Sequence, residues 1–291
     1  MSNFRGLCSL AKACLFSTHD PNQMQTKNFL SKALKTGLLT GTLFLPGPVF
    51  GQDYPFGSTA DTVFDIIRED DPSSFVCLDY AGREIRQMWD KRQDNEFDLN
   101  VFLFRAYFSE GPPVDIILNP EFQTENEARA EALKYTRGLG QLPLILRRGI
   151  GQFGIHKGNE GFHGGPGKIF MYQDKADLRI TQKHLEESIM HESVHASLDA
   201  EYSNARDWRN AQANDATFVT RYAAENPDGE DLAESVLFAY GLLYHPGRIP
   251  PVDSQVIAAS IPARIAVISE ILAIPQVVAR TEEPPGTCQK D

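Results

Sequence analysis

The chain has 291 residues, 42% of them hydrophobic and 23% charged, with a formal net charge of −11 at pH 7. That acidic surplus works against polyanionic partners, so no nucleic acid is expected as ligand. The apolar content suits one large globular domain, and neither an internal repeat nor a low-complexity linker interrupts it.

In chain order, a leader comes first. From Met24 the chain is basic, with Lys27, Lys32 and Lys35 and no acid, then apolar from Gly37 to Leu45, then closes on Pro46 to Gly51. This pattern predicts a secretory signal peptide over 24–51, with Met24 as an alternative start within a leader of 1–51. Its apolar part is shorter than the roughly 20 residues that span a bilayer, so no integral membrane segment is expected in the mature form. A mitochondrial transit peptide is the competing reading. The defined hydrophobic block and the modest side chains before Gln52 favour export, to the periplasm or the medium. Removing 1–51 takes away five Lys or Arg residues and one acid, which brings the net charge from −11 to −15 for the mature domain of 52–291. Of the four cysteines, Cys77 and Cys288 remain, as one disulfide or as two free thiols.

Strands are predicted at Phe75 to Tyr80, Val101 to Phe108 and Val114 to Leu118, where β-branched and aromatic residues concentrate. Helical patterns follow at Glu125 to Leu139 and around Leu142 to Arg148. Gly151 to His156 and Lys168 to Tyr172 read as two strands joined by a glycine-rich loop, Gly158 to Gly167, and His156 and His163 flank that loop as rim residues. A helix is expected from about Thr181 to Ala200, with His184 on another face of it. Pro227 and Gly229 then break the chain ahead of an acidic turn and an apolar run, which predicts a helix start near 230. His245, before Pro246, marks a helix end. Ser254 to Val278 reads as two helices interrupted by Pro262 and Pro275. The sum is an α+β body with a small mixed sheet and a mostly helical C-terminal half.

Within the 181–200 helix lies His191-Glu192-Ser193-Val194-His195, a H-E-x-x-H sequence. Four residues advance a helix by about 6 Å and about 40°, so both imidazoles project from one face toward a common ion, as zinc requires. Glu192 lies one step off that line, within reach of a zinc-activated water. A catalytic zinc takes three protein ligands and keeps one position open. Glu230 and Glu234 share a face of the later helix, so one can bind metal while the other orients a ligand imidazole. Asp199, four residues after His195, competes for the third position. Its short side chain on the same helix favours a supporting or capping role.

His191-Glu192-Ser193-Val194-His195 together with Glu230-Asp231-Leu232-Ala233-Glu234 resembles the zincin metallopeptidases, in the thermolysin and anthrax lethal factor type, where a glutamate on a second helix completes the metal site. The resemblance covers about residues 168–244. It implies a zincin-like single domain whose sheet packs against the active-site helix, with one zinc ion held by His191, His195 and Glu230. It also implies that Tyr222, a few residues ahead of Glu230, stabilises an oxyanion, and that Lys168 to Tyr172 is the sheet edge along which an extended peptide lies, with a buried strand as the alternative. The expectation is a zinc metallopeptidase acting on protein or peptide substrates, with Glu192 as general base. The alternative is a secreted zincin-fold binding or structural protein that retains its metal without catalysis.

Overall fold

A computed structural model describes residues 54–273 and 286–288; the predicted leader at 1–51 and the segment beyond Ala273 that includes Pro275 lie outside them. The first two strands form a long antiparallel hairpin, β1 (Phe75–Asp90) and β2 (Asn95–Phe108), followed by β3 (Val114–Leu118) antiparallel to β2. Helices α1 (Glu125–Gln141) and α2 (Leu144–Arg147) then cross over to β4 (Gln152–His156), which runs parallel to β3. Next come β5 (His163–Gly165) and β6 (Lys168–Tyr172), the latter parallel to β4. The last strand, β7 (Gly286–Thr287), lies parallel to β1. Among the described residues the sheet has seven strands in the order β5-β6-β4-β3-β2-β1-β7. The fold is α+β, with a mixed sheet and a helical C-terminal half.

The remaining helices are α3 (Gln173–Thr181), α4 (Leu185–Ser197), α5 (Arg206–Asn214), α6 (Arg221–Glu225), α7 (Asp231–Tyr244), α8 (Pro251–Ser260) and α9 (Pro262–Leu272). α1 starts at an N-cap, where the Thr124 hydroxyl accepts the Glu127 N–H. Its Ala128, Ala132, Tyr135 and Leu139 recur at three- and four-residue spacing and are fully buried. α4 sends Ile189, Met190 and Val194 into the same core, each worth about 1.5–3 kcal/mol of burial. That burial leaves His191, Glu192 and His195 on the opposite side. No single described helix is long and apolar enough to cross a membrane, and α8 and α9 reach that composition only together, across a 95° bend.

Several expectations need correction. β1 and β2 extend well past Tyr80 and ahead of Val101, through residues such as Arg83, Glu84, Arg86 and Asp98 whose charge hides strand character. Cross-strand pairing, from Gly82 opposite Leu103 to Asp90 opposite Asn95, stabilises this polar half of the ribbon. The helix expected over 181–200 is α4, shorter at both ends: Lys183, at φ 56°, separates it from α3, and beyond Ser197 the chain passes into a π-helical turn over Asp199–Ser203. Lys168–Tyr172 is not the sheet edge: β5 pairs outside it. His156 is no rim residue. It is fully buried in β4, its ring stacked 5.2 Å from Tyr172, with Nε2 2.9 Å from the Trp89 carbonyl and Nδ1 3.1 Å from the Asn119 amide. Cys77 and Cys288 are joined as a disulfide, which fixes β7 beside β1.

Candidate metal centre

α4 and the N-terminus of α7 meet at the site. The break at Pro227-Asp228-Gly229 makes Glu230 the N-cap of α7, and its carbonyl accepts the Glu234 N–H at 2.9 Å. The next residue, Asp231, is fully buried and takes hydrogen bonds from Arg264 Nη1 at 2.6 Å and Gln212 Nε2 at 2.8 Å. Arg264, on α9, also pairs with Asp215 at 2.9 Å, so a buried charge cluster pins the α7 start directly beside Glu230.

The structure brings His191, His195 and Glu230 together. The two Nε2 atoms are 3.2 Å apart, and Glu230 Oε2 lies 3.4 Å from that of His191 and 3.3 Å from that of His195. These three atoms form a nearly equilateral triangle. Glu230 Oε2 is buried and has no hydrogen-bond partner, so a buried acceptor faces two ring nitrogens without a donor aligned on it. The other carboxylate oxygen, Oε1, accepts the Tyr222 hydroxyl at 3.0 Å. Tyr222 therefore sits at the site and holds Glu230.

The outward ring nitrogens are also occupied. His195 Nδ1 lies 2.7 Å from Asp199 Oδ2, which places Asp199 behind a histidine and away from the triangle. Glu234 is not bonded directly to His191: its Oε1 is 3.6 Å from Nδ1, beyond hydrogen-bond range. Thr59 stands between them. Its hydroxyl donates to Glu234 Oε1 at 2.7 Å and lies 3.4 Å from His191 Nδ1, while its backbone N–H donates to Glu234 Oε2 at 2.8 Å. Thr59 belongs to an N-terminal strap, Phe56 to Asp61, which is fastened by Arg221 N to the Phe56 carbonyl at 2.9 Å and Tyr222 N to the Gly57 carbonyl at 3.0 Å. Sequence reasoning missed Thr59. The only local signal is a Ser-Thr pair in a polar loop, which names no partner.

Electrostatics follow from this packing. Burial works against the charge of Glu230, but His191 and His195 outweigh it and hold its carboxyl well below the usual carboxylate range. Burial lowers the His195 imidazole, but Asp199, Glu230 and Glu192 push it up to about 10. Burial and Glu230 together push the Tyr222 phenol up to about 12. Carboxylates thus surround the two imidazoles, Glu192, Glu230 and Glu234 near His191 and Asp199, Glu230 and Glu192 near His195.

Two further features shape the surroundings. β5 lies close against α4: a Cβ on Gly164 would come within 2.4 Å of the Glu192 carbonyl oxygen and 2.8 Å of His195 Cβ, so only glycine permits this approach. Beside it opens a cleft of about 390 Å³, lined by His191, Glu192, Tyr222, Thr59, Phe162 and residues of α3. Its size is within the range of small-ligand sites.

Comparison with known protein families, curated proteins and solved structures returns no match. The chemistry of the site must be read from its own side chains. Of the expected site residues, His191, His195 and Glu230 come together, His191, Glu192, Tyr222 and Glu234 line the cleft, and Asp199 lies behind His195. His163 lies exposed on the adjacent strand β5, and His184, at the N-cap of α4, lines the cleft away from the triangle.

Proposed function

We propose that the protein is a zinc-dependent peptide-bond hydrolase. The observation that carries this reading is the triangle of ligand atoms. Tetrahedral zinc with bonds of about 2.0–2.1 Å requires its ligand atoms to stand about 3.3 Å apart. The edges here are 3.2, 3.3 and 3.4 Å. The donor set of two imidazoles and one carboxylate also suits zinc, and the buried Glu230 Oε2, which has no hydrogen-bond partner, would bind the ion. His191, His195 and Glu230 would hold the ion, three protein ligands as in a catalytic zinc site.

Zinc bound there would supply an acidified water and polarisation of a scissile carbonyl. Glu192 lines the cleft next to His191 and takes the proton of the attacking water, then delivers it to the leaving amine. Asp199 accepts the Nδ1 proton of His195 and fixes that ring with Nε2 toward the ion. Thr59 does the same for His191 and passes the hydrogen bond on to Glu234. Tyr222 orients Glu230 through Oε1. Its hydroxyl, in the lining of the cleft, is the group we assign to stabilising a tetrahedral oxyanion. Export to the periplasm or the medium, with extracellular protein or peptide as substrate, belongs to the same proposal.

The test is metal content and peptide hydrolysis measured on the same preparations. Wild type should bind one zinc per chain and cleave a mixed peptide library. Glu192→Gln should keep the zinc and lose at least about a hundredfold in rate, the usual worth of a general base. Zinc retained with wild-type cleavage in that variant removes Glu192 from the mechanism. Zinc bound without any cleavage by wild type leaves the alternative, a secreted binding or structural protein that keeps a metal.

A further inference from the structure

One end of the cleft carries charge that the hydrolytic machinery does not use. Lys175 and Arg179 are four residues apart on α3, hence on one face, and both line the cleft that opens onto His191 and Glu192. Arg179 donates only to neutral oxygens, the Ala60 carbonyl at 3.1 Å and Gln182 Oε1 at 2.9 Å. Among the described residues neither cation pairs with a carboxylate. Several other cations are ion-paired, Lys134 with Glu131 and Asp177, Lys168 with Glu96 and Arg248 with Asp71, while Arg83 and Arg137, like Arg179, donate to carbonyls.

The acids that line the cleft, Glu192 among them, form no ion pair with either cation. Glu234 is taken up by the two Thr59 donors, Asp61 accepts the Ser58 hydroxyl at 2.9 Å, and Glu225 faces Arg221 at 3.8 Å. Glu187 is buried, with Oε1 accepting the N–H groups of Ile66 at 2.7 Å and Ile67 at 2.9 Å. Burial pushes its carboxyl up to about 8, so it is mostly uncharged near neutrality. Lys175 and Arg179 are therefore free to donate to a ligand in a partly enclosed space, where charge-assisted hydrogen bonds are strongest.

We infer that Lys175 and Arg179 form a carboxylate-recognition subsite, so that favoured substrates place an acidic side chain or a free C-terminal carboxylate beside the bond to be cleaved. This inference rests on the hydrolytic reading of the metal centre. It differs from that reading in naming what the cleft selects.

The test uses zinc-loaded mature protein and a mixed peptide library with cleavage sites mapped by mass spectrometry. Asp and Glu should be enriched roughly tenfold over Asn and Gln at one fixed position near the cut, or cuts should cluster by that factor near free C-termini and not near amidated ones. These two patterns separate a side-chain carboxylate from a terminal one. The Lys175→Glu/Arg179→Glu double variant should lose the preference or reverse it toward Lys and Arg. Binding is read apart from turnover, by fluorescence anisotropy on Glu192→Gln: an acidic peptide should bind roughly tenfold tighter than its amide counterpart. Cleavage without charge preference, or a preference the double variant leaves intact, overturns the subsite and spares the hydrolase. Equal binding of acidic and amide peptides also overturns it. No cleavage of any peptide by zinc-loaded wild type removes the hydrolytic reading and the inference with it.

Discussion

Thr59 gives both of its donors to Glu234, hydroxyl to Oε1 and backbone N–H to Oε2, across 175 residues of chain. A threonine in the strap thereby fixes a carboxylate on α7, and its hydroxyl oxygen remains 3.4 Å from the His191 ring. Supporting partners of this kind usually contribute about 10–100-fold in metal affinity. Thr59→Val should weaken zinc binding within that range, as read by chelator competition, and Thr59→Ser should restore most of it. Asp199→Asn, behind the other histidine, should cost a similar factor. Unchanged affinity in both Thr59→Val and Asp199→Asn would show that the two rings hold their orientation without these partners.

Gly164 sets the distance between β5 and α4. Gly164→Ala forces the strand away from Glu192 and His195, since the new methyl group has nowhere to go but into helix backbone. The expected cost is about 1–3 kcal/mol of stability, together with lower metal affinity, measured by denaturant titration and chelator competition. Gly165, one residue on, has a Cβ position 3.8 Å from the His163 ring, so Gly165→Ala should be much milder. If the two variants behave alike, close packing on α4 is not what restricts position 164.

Glu187 predicts a pH dependence of stability. Burial raises its carboxyl from 4.5 to about 8. The folded protein therefore holds this proton more tightly than the unfolded chain between those values. Its contribution is full below pH about 4.5 and falls as pH rises toward about 8. Glu187→Gln keeps the oxygen that Ile66 and Ile67 use and removes the titration. The variant should match wild type near pH 4.5 and melt several degrees higher at pH 8. A melting difference that does not change with pH would rule out Glu187 as the group responsible.

The Cys77–Cys288 disulfide should stabilise the fold by up to about 5 kcal/mol, given the long loop it closes. Melting with and without reductant, against Cys288→Ser, measures it. If reductant lowers the melting temperature of Cys288→Ser as much as that of wild type, the effect does not come from this bond.

Much of the site was legible because its signals are local. His191, Glu192 and His195 share one helix turn, and Glu230 follows a proline and glycine break that forecasts a helix start. The missing pieces depend on contacts that sequence spacing does not encode. Thr59 reaches His191 across 132 residues from a loop with no periodicity. Strand β5 is His-Gly-Gly, too short and glycine-rich to read as a strand, so β6 looked like the edge. The outer half of β1 alternates charged residues and reads as loop until β2 pairs with it. Lys183 separates α4 from α3 through a positive φ without glycine or proline to announce it. His156 was misplaced for a related reason: a polar residue next to a glycine-rich loop suggests a rim, whereas Trp89 and Asn119 satisfy it inside the sheet.

The bond between Cys77 and Cys288 closes a covalent ring that contains His191, Glu192, His195, Tyr222 and Glu230, while Thr59 lies outside it. A single backbone nick anywhere inside the ring leaves the metal ligands on fragments that stay joined. A nick between Thr59 and Cys77 instead leaves the strap attached by noncovalent contacts alone, so the support behind His191 can dissociate from a molecule whose three ligands are still tethered together.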